Sequence, residues 1–239
     1  MYFSLYEIDT DDLLALNCID DDSFEERPFR RTLALFVIDH DIAARNAARN
    51  LALPELPITL PTGQIVNLVT TDDNWLLVNL DPAEALQLRT RLHAAHAQQK
   101  AGLPPHICKQ QVDQQLAAHS LSGKGIQSFF GEMGRDALAP GLVLAPATAH
   151  YSMQKVVEAL GLGKHQLELL PVDNHFRADV GALREILQLC AQQRRPVIAL
   201  VSVLGTTEEG AVDRIHKAVE LQAEMRARGL TFHHHCDAA

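Results

Sequence analysis

The sequence lacks the features that mark membrane-spanning, secreted and disulfide-bonded proteins. Only four of its 239 residues are cysteines, and they are too far apart for a CxxC metal or redox motif: Cys18, Cys108, Cys190 and Cys236. No run of about 18 apolar residues is present, so no membrane span is predicted. No basic segment followed by an apolar one precedes residue 30, so no secretion signal is predicted. These absences favour reduced thiols and a cytoplasmic location.

Positive charge is scarce. The sequence has 21 Lys and Arg against 30 Asp and Glu, which gives a net charge of -9. Residues 1–26 contain nine acids and neither Lys nor Arg, and we interpret this leader as solvated surface. Nucleic-acid binding depends on cations that neutralise phosphates. An acidic chain with no basic stripe therefore argues against a nucleic-acid partner.

The residues that are present favour a folded protein, with 47% hydrophobic and 21% charged residues. We divide the chain into an N-terminal region with helical segments and loops, residues 1–139, and an α/β domain, residues 140–239. Residues 33–38 are apolar, and periodicity does not decide between strand and helix there. Three prolines and a glycine predict a loop or linker at residues 53–64.

Two helices are predicted with most support in the N-terminal region. Residues 43–50 repeat Ala-Ala-Arg-Asn twice and are rich in helix formers. The second helix covers residues 82–99, because Asp81 can cap its amides, Pro82 suits the first position, and Glu84 completes a capping-box-like pattern. Its apolar residues share one face: Ala85, Leu88, Leu92 and Ala95. Residues 109–119 are polar and weakly helical.

From residue 141 onward, strands and helices alternate. Strands are predicted at residues 142–145, 167–172 and 197–204, and a last one near the end of the sequence. Helices are predicted at residues 151–161, 179–193 and 214–228. The final strand ends on Asp237, and we read it as buried. This β-α-β-α-β-α-β order predicts an α/β fold with a mostly parallel sheet and helices on its faces.

Ligands of such folds bind at the carboxyl ends of the strands. Three predicted strands are followed there by His150, by Thr206 and Thr207, and by Asp237. We expect these side chains to converge on a cleft that suits a planar, nitrogen-containing cofactor. Taken alone, His150 could equally cap the following helix, and Thr206 could simply begin a loop.

Two types of look-alike motif are rejected. Residues 233–235 are three consecutive histidines, but neighbouring strand residues point to opposite faces, so structural histidines are favoured over a metal site. Residues 122–125 read Ser-Gly-Lys-Gly, yet Ala118 stands where a nucleotide P-loop has its first glycine and Gly125 where it has Ser or Thr. Gly161 and Gly163 are interpreted as a helix C-cap.

Four segments carry a family resemblance: Ala-His-Tyr-Ser at 149–152, Val-Asp-Asn-His-Phe-Arg at 172–177, Leu-Gly-Thr-Thr-Glu-Glu-Gly-Ala-Val-Asp at 204–213, and His-Cys-Asp-Ala-Ala at 235–239. Their order and spacing resemble the large domain of the pyridoxal-phosphate-dependent group II amino-acid decarboxylases over about residues 140–239. The segment at 207–213 looks most like the bacterial tyrosine decarboxylase branch. Residues 47–50 and 73–88 are similar more weakly.

The resemblance implies a fold-type I homodimer that binds pyridoxal 5'-phosphate (PLP) and converts tyrosine or another aromatic amino acid to an amine and CO2. In that case Asp237 pairs with the pyridine nitrogen, and His150 stacks on the ring near the substrate carboxylate as a catalytic residue. Ala239 packs against the opposite ring face, and Thr206 lines the site. Residues 140–239 then form a partial PLP-binding domain.

The sequence also departs from the family pattern. The family holds PLP as a Schiff base on a lysine well beyond the Asp-Ala-Ala strand, and none of the lysines here matches it: Lys100, Lys109, Lys124, Lys155, Lys164 and Lys217. The Gly/Ser/Thr-rich phosphate cup corresponds to residues 31–40, which contain no glycine. We therefore expect an incomplete fold and a decarboxylase portion without turnover of its own. The alternatives are a non-catalytic remnant or interaction module, and glutamate as the substrate.

Overall fold

The computed structural model describes residues 41–132 and 138–238. The acidic leader, residues 33–38, the phosphate-cup position at 31–40 and Ala239 lie outside these described residues. The interpretations of those segments therefore remain predictions.

The described N-terminal part is mostly helical. Residues 41–50 form α1, within which the predicted Ala-Ala-Arg-Asn repeat is helical. The helices that follow are α2 (Asn74–Val78), α3 (Pro82–Gln99), α4 (Pro105–His119), α5 (Leu121–Lys124) and α6 (Ile126–Gly131). The segment predicted as weakly helical at 109–119 is part of the well-formed helix α4.

The loop predicted at residues 53–64 is wrong in part, because it contains a strand. Strand β1 (Pro57–Thr59) pairs antiparallel with β2 (Ile65–Asn67), and Ile58 lies opposite Val66. Pro57 is tolerated since it takes the first position of a short edge strand, where the missing N–H breaks no central ladder.

Helix α3 has the predicted bounds, and its first turn shows why. The Asp81 carboxylate accepts a hydrogen bond from Ala83 N at 3.0 Å, and Pro82 occupies the first helical position. Leu88 and Leu92 are fully buried on its apolar face. Glu84 does not close a capping box. Its carboxylate instead accepts from Thr59 N at 3.0 Å, which ties α3 to the β1–β2 hairpin.

The remaining described residues form the predicted alternation. The strands are β3 (Leu142–Pro146), β4 (Leu167–Leu170), β5 (Val197–Leu204) and β6 (His233–Ala238), with α7 (Ser152–Ala159), α8 (Val180–Gln193) and α9 (Ile215–Ala227) between them. All neighbouring strands are parallel, in the order β4-β3-β5-β6. The predicted α/β class is confirmed.

Helices cover both faces of this sheet. On one face, Leu144 and Leu200 pack in a common core with Leu187 of α8 and Leu221 of α9. On the other face, a smaller core joins Ala145 and Val201 to Met153 of α7. Gly161, with φ +71°, follows α7 in the left-handed conformation, which confirms its prediction as a C-cap glycine.

The N-terminal helices have a core of their own, which includes Leu68, Leu77 and Leu88. Trp75 of α2 packs instead into the core of the sheet, and Asn79 Oδ1 accepts a hydrogen bond from Thr231 N at 2.9 Å. These contacts join the helical part to the start of β6. None of the described helices is both long and apolar enough to cross a lipid bilayer.

Strand β6 differs from its prediction. It was expected to be buried, yet His233, His234 and His235 are half-buried and Cys236 is exposed. Within the described residues β6 pairs only with β5, at the edge of the sheet. An edge strand is covered from one side only, and its side chains therefore keep partial contact with solvent.

Candidate functional site

Three of the predicted site residues lie at the same end of the sheet, where the strands have their carboxyl termini. Strands β3, β5 and β6 are adjacent and parallel, so their carboxyl ends meet. His150 lies four residues beyond β3, and Thr206 two residues beyond β5. Asp237 lies within β6, one residue before its end, opposite Val203. In the described chain none of these three side chains hydrogen-bonds to another.

Asp237 presents a carboxylate with no intramolecular partner. It is half-buried, and among residues 41–132 and 138–238 it accepts no hydrogen bond and forms no ion pair. By strand alternation it shares a face with its register partner Val203 and with Val201, which packs against α7. The carboxylate and the start of α7 are therefore on the same side of the sheet. An ionised carboxylate accepts hydrogen bonds only, so it suits a donor on a ligand.

His150 lies in the turn before α7 and is exposed. Its Nδ1 accepts a hydrogen bond from Ser152 N at 3.3 Å, so it does contact the helix start, as the capping interpretation expected. Its ring centroid is 4.2 Å from that of Tyr151, at an interplanar angle of 46°. The outer edge of the imidazole remains accessible to a ligand.

Thr206 is buried and closes the turn after β5. Its Oγ1 accepts from Ala211 N at 3.0 Å, and its own N–H donates to Ala211 O at 3.0 Å. These contacts agree with the alternative prediction that Thr206 begins a loop. Because a hydroxyl is both donor and acceptor, Thr206 keeps a proton that it can donate to a ligand.

Asp213 has a structural role in this region, although no role was predicted for it. Its buried carboxylate accepts two backbone hydrogen bonds, from Val203 N and from Ala178 N, each at 2.7 Å. Its own N–H donates to Val203 O at 2.9 Å. The end of β5 is thereby tied to the loop before α8. The only signal in the sequence was its place at the end of the 204–213 segment.

Asp173 fixes the neighbouring loop in a similar way, but at the surface. The Arg177 guanidinium donates to its carboxylate at 2.9 Å, and Arg214 donates at 3.2 Å. The hydrogen bond from Arg177 holds the pKa of Asp173 well below its usual range, and the amides of His175 and Arg177 add to this. Phe176, in the same loop, has φ +58°. Its backbone carbonyl accepts a hydrogen bond from Thr148 Oγ1 at 3.4 Å, which links this loop to the turn after β3.

The histidines of β6 have structural contacts. His234 Nε2 lies 2.8 Å from Ser202 Oγ on β5. Burial lowers the pKa of His234, the neighbouring His235 lowers it further, and the Asp213 carboxylate opposes both. Although Cys236 is exposed as a residue, partial desolvation of its thiol raises the pKa and the Asp213 carboxylate raises it further, which disfavours a nucleophilic thiolate. Among the described residues, no three His, Cys, Asp or Glu side chains are arranged to hold a metal.

Comparison with known proteins identifies relatives among amino-acid decarboxylases. An L-tyrosine decarboxylase of Enterococcus faecium is 32% identical over 165 residues, which are 69% of this chain and 23% of that protein. The L-tyrosine decarboxylase of Levilactobacillus brevis is 32% identical over 172 residues, 72% of this chain and 23% of its own length. A probable L-aspartate decarboxylase of Halobacterium salinarum is 37% identical over 97 residues, 41% of this chain and 23% of that protein. The chain thus spans about a quarter of these relatives.

The other comparisons provide weaker support for this homology. No family model matches the chain. The crystal structure of mouse CSAD aligns with a TM-score of 0.37 at 26% identity, over 42% of this chain and 21% of that one. At this TM-score the superposition carries no argument about the site, and the homology rests on the sequence relatives.

Proposed function

Because the chain is homologous to the group II PLP-dependent amino-acid decarboxylases, we propose that it supplies the cofactor-ring platform of such a lyase. Its relatives are named for tyrosine, aspartate and 2,4-diaminobutyrate, which supports a free amino acid as the substrate class. We propose tyrosine or another aromatic amino acid, because three relatives that match over about 70% of the chain are L-tyrosine decarboxylases. A cytoplasmic homodimer is part of the same proposal.

The observation that carries the proposal is the carboxylate of Asp237, which has no partner in residues 41–132 and 138–238. A protonated pyridine nitrogen is a cationic donor, and a charge-assisted hydrogen bond to a carboxylate is stronger than a neutral one. A half-buried acid without a partner among the described residues fits this donor. An acid whose oxygens were already occupied, as those of Asp213 are, would not.

Each proposed site residue then has one task. When bound, PLP supplies a ring that withdraws electrons from the bond to be broken. Asp237 holds a proton on the ring nitrogen. His150 stacks on the ring face, limits its tilt and lies beside the substrate carboxylate. Thr206 would line the site from the turn after β5, and Ala239, which lies outside the described residues, would be the small side chain on the opposite ring face.

These 239 residues contain no lysine at the position where the family attaches PLP. In the family a lysine amine would hold the cofactor covalently, and no residue here is matched to that role. We therefore propose that the chain as given contacts the ring without attaching it and gives no turnover. Release of labelled CO2 from carboxyl-labelled tyrosine by this chain would overturn that part of the proposal.

The platform itself is tested by titration with pyridoxamine 5'-phosphate. This probe has the same ring and phosphate but no aldehyde, so it cannot react with surface lysines. Fluorescence titration of the chain should show saturable binding, and Asp237→Asn should weaken it at least tenfold, about 1.4 kcal/mol. The matched control is Glu168→Gln, which removes an exposed carboxylate from β4 at the other edge of the sheet. Equal binding by wild type and Asp237→Asn would refute the platform.

A further inference from the structure

Three side chains at the start of α7 form a stack that the proposed function does not explain. The Tyr151 ring lies 4.2 Å from the His150 ring, centroid to centroid, at 46°. Lys155 Nζ lies 4.6 Å from the centroid of the same Tyr151 ring. The order of contacts is therefore ammonium, phenol, imidazole, with Tyr151 in contact with both of the others.

The geometry of the chain explains how the stack forms. Tyr151 and Lys155 are four residues apart, and side chains at this spacing lie next to each other on a helix surface. A Lys ammonium within about 6 Å of an aromatic centroid is attracted to the electron-rich ring face. Tyr151 nevertheless has 67% of its surface exposed, so core packing does not hold its ring in place. Its ring instead contacts Lys155 and His150.

A second constraint acts on the imidazole directly. Ser152 N donates to His150 Nδ1 at 3.3 Å, so Nδ1 is an acceptor in this geometry. In the neutral ring the proton then resides on Nε2. The Ser152 amide therefore sets which nitrogen can donate, while the Tyr151 ring restricts the tilt of the imidazole. Together these two contacts favour one orientation of the ring, with Nε2–H as its donor.

We propose that Tyr151 and Lys155 are positioning residues for His150, and that this arrangement presents the imidazole as a flat Nε2–H donor to a stacked heteroaromatic ligand. The contacts among the three residues stand independently of any ligand. Their role towards PLP and the substrate carboxylate rests on the proposed function.

The stack is tested in the ligand-free chain by the ring-proton chemical shifts of His150. An aromatic ring at 4.2 Å displaces the resonances of nearby protons, so Tyr151→Leu should shift the two imidazole C–H signals towards random-coil values. Tyr151→Phe keeps the ring and should retain the displacement. The signals are assigned by their loss in His150→Asn. Unchanged signals in Tyr151→Leu would overturn the proposal.

Lys155 is tested by a matched pair of substitutions. Lys155→Met keeps most of the stem and removes the charge, so the Tyr151 ring should become more mobile and the displacement of the His150 signals should shrink. Lys155→Arg keeps a cation over the ring and should retain the displacement of the His150 signals. These residues are exposed, which leaves the fold intact in each variant. Equal displacement in all three proteins would remove Lys155 from the proposal.

Binding of pyridoxamine 5'-phosphate separates this inference from the proposed function. If both are correct, Tyr151→Leu should weaken binding several-fold and Tyr151→Phe should not. If wild type does not bind the probe but the His150 shifts follow the pattern above, the platform fails and the stack stands. If Tyr151→Leu binds as wild type does, the positioning role towards the ligand is wrong even though Asp237 retains its role.

Discussion

Two carboxylates lie beside the same residue of β5, Val203, and they differ in burial and in hydrogen bonding. Asp213 is buried and accepts a hydrogen bond from Val203 N, while Asp237 is half-buried on β6 in register with Val203. Both oxygens of Asp213 are occupied by backbone amides of this chain. Among the described residues, Asp237 has no such partner. The difference indicates that one acid holds the end of the sheet in place and the other is available to a ligand.

The energetics of burial explain this division. A buried carboxylate is strongly unfavourable unless hydrogen bonds compensate its lost hydration. The two amides at 2.7 Å provide that compensation for Asp213. Asp237 remains in partial contact with solvent, so water can hydrate its carboxylate where no donor of the described chain does. It is therefore able to exchange water for a cationic donor on a ligand.

The largest expected effect is on stability, from removal of the Asp213 carboxylate. Asp213→Ala leaves the buried amide of Val203 and the half-buried amide of Ala178 without acceptors, so the free energy of unfolding should fall by about 3 kcal/mol. Urea denaturation measures this loss. The control Glu209→Ala removes an exposed acid from the same connection and should change stability by less than about 0.5 kcal/mol. A loss below about 1 kcal/mol for Asp213→Ala would contradict its clamping role.

A smaller effect is expected at Thr206. Thr206→Val keeps the shape of the side chain but removes the acceptor for Ala211 N, so unfolding free energy should fall by about 1 kcal/mol. Thr206→Ser keeps the hydroxyl and should remain closer to wild type in the same urea experiment. Equal stability of the Val and Ser variants would show that the hydroxyl does not hold the turn.

The influence of Asp213 also extends to the titration of His234. Burial lowers the folded pKa of His234, so the unfolded chain binds this proton more readily. The stabilising contribution is therefore full above the ordinary pKa of about 6.5, and it declines as pH falls from there towards the folded pKa. His234→Gln should flatten the stability profile below about pH 6.5. NMR titration should show a still lower pKa in Asp213→Asn, because the opposing charge is gone; an increase would contradict this electrostatic coupling.

The smallest effect on stability is expected at Asp237 itself. Since its carboxylate has no partner in the described chain, Asp237→Asn should change the free energy of unfolding by less than about 0.5 kcal/mol. Thermal or urea denaturation in the absence of ligand tests this. A loss comparable to that of Asp213→Ala would mean that Asp237 is structural, and the contrast between the two acids would disappear.

Much of the sheet was predictable because local signals agree with the tertiary structure. The apolar segment at 197–204 forms β5 with the predicted bounds, and α8 begins after Asp179, which accepts from two amides of its first turn. The parallel strands also place His150, Thr206 and Asp237 at or near the carboxyl ends of β3, β5 and β6, where the sequence predicted them. Strand order was not predictable, because no local pattern in the sequence places β3 between β4 and β5.

The missed features depend on contacts between residues distant in sequence. Asp213 and Ala178 are 35 residues apart, and no local pattern links an acid before α9 to an amide before α8. His96 of α3, for which no role was predicted, is buried, and its Nε2 lies 2.8 Å from Gln111 Oε1 of α4. The burial of β6 was overestimated because its hydrophobicity does not reveal that it lies at a sheet edge.

The most direct test of the central claim is the protonation state of a bound pyridine ring. Pyridoxamine 5'-phosphate labelled with ¹⁵N in the ring is added to the chain at a pH where the ring nitrogen of the unbound probe is deprotonated. If Asp237 is its partner, the ¹⁵N shift of the bound ring should be that of a protonated nitrogen in wild type and in Glu168→Gln, and that of a deprotonated nitrogen in any complex with Asp237→Asn. A deprotonated nitrogen in the wild-type complex would contradict the account.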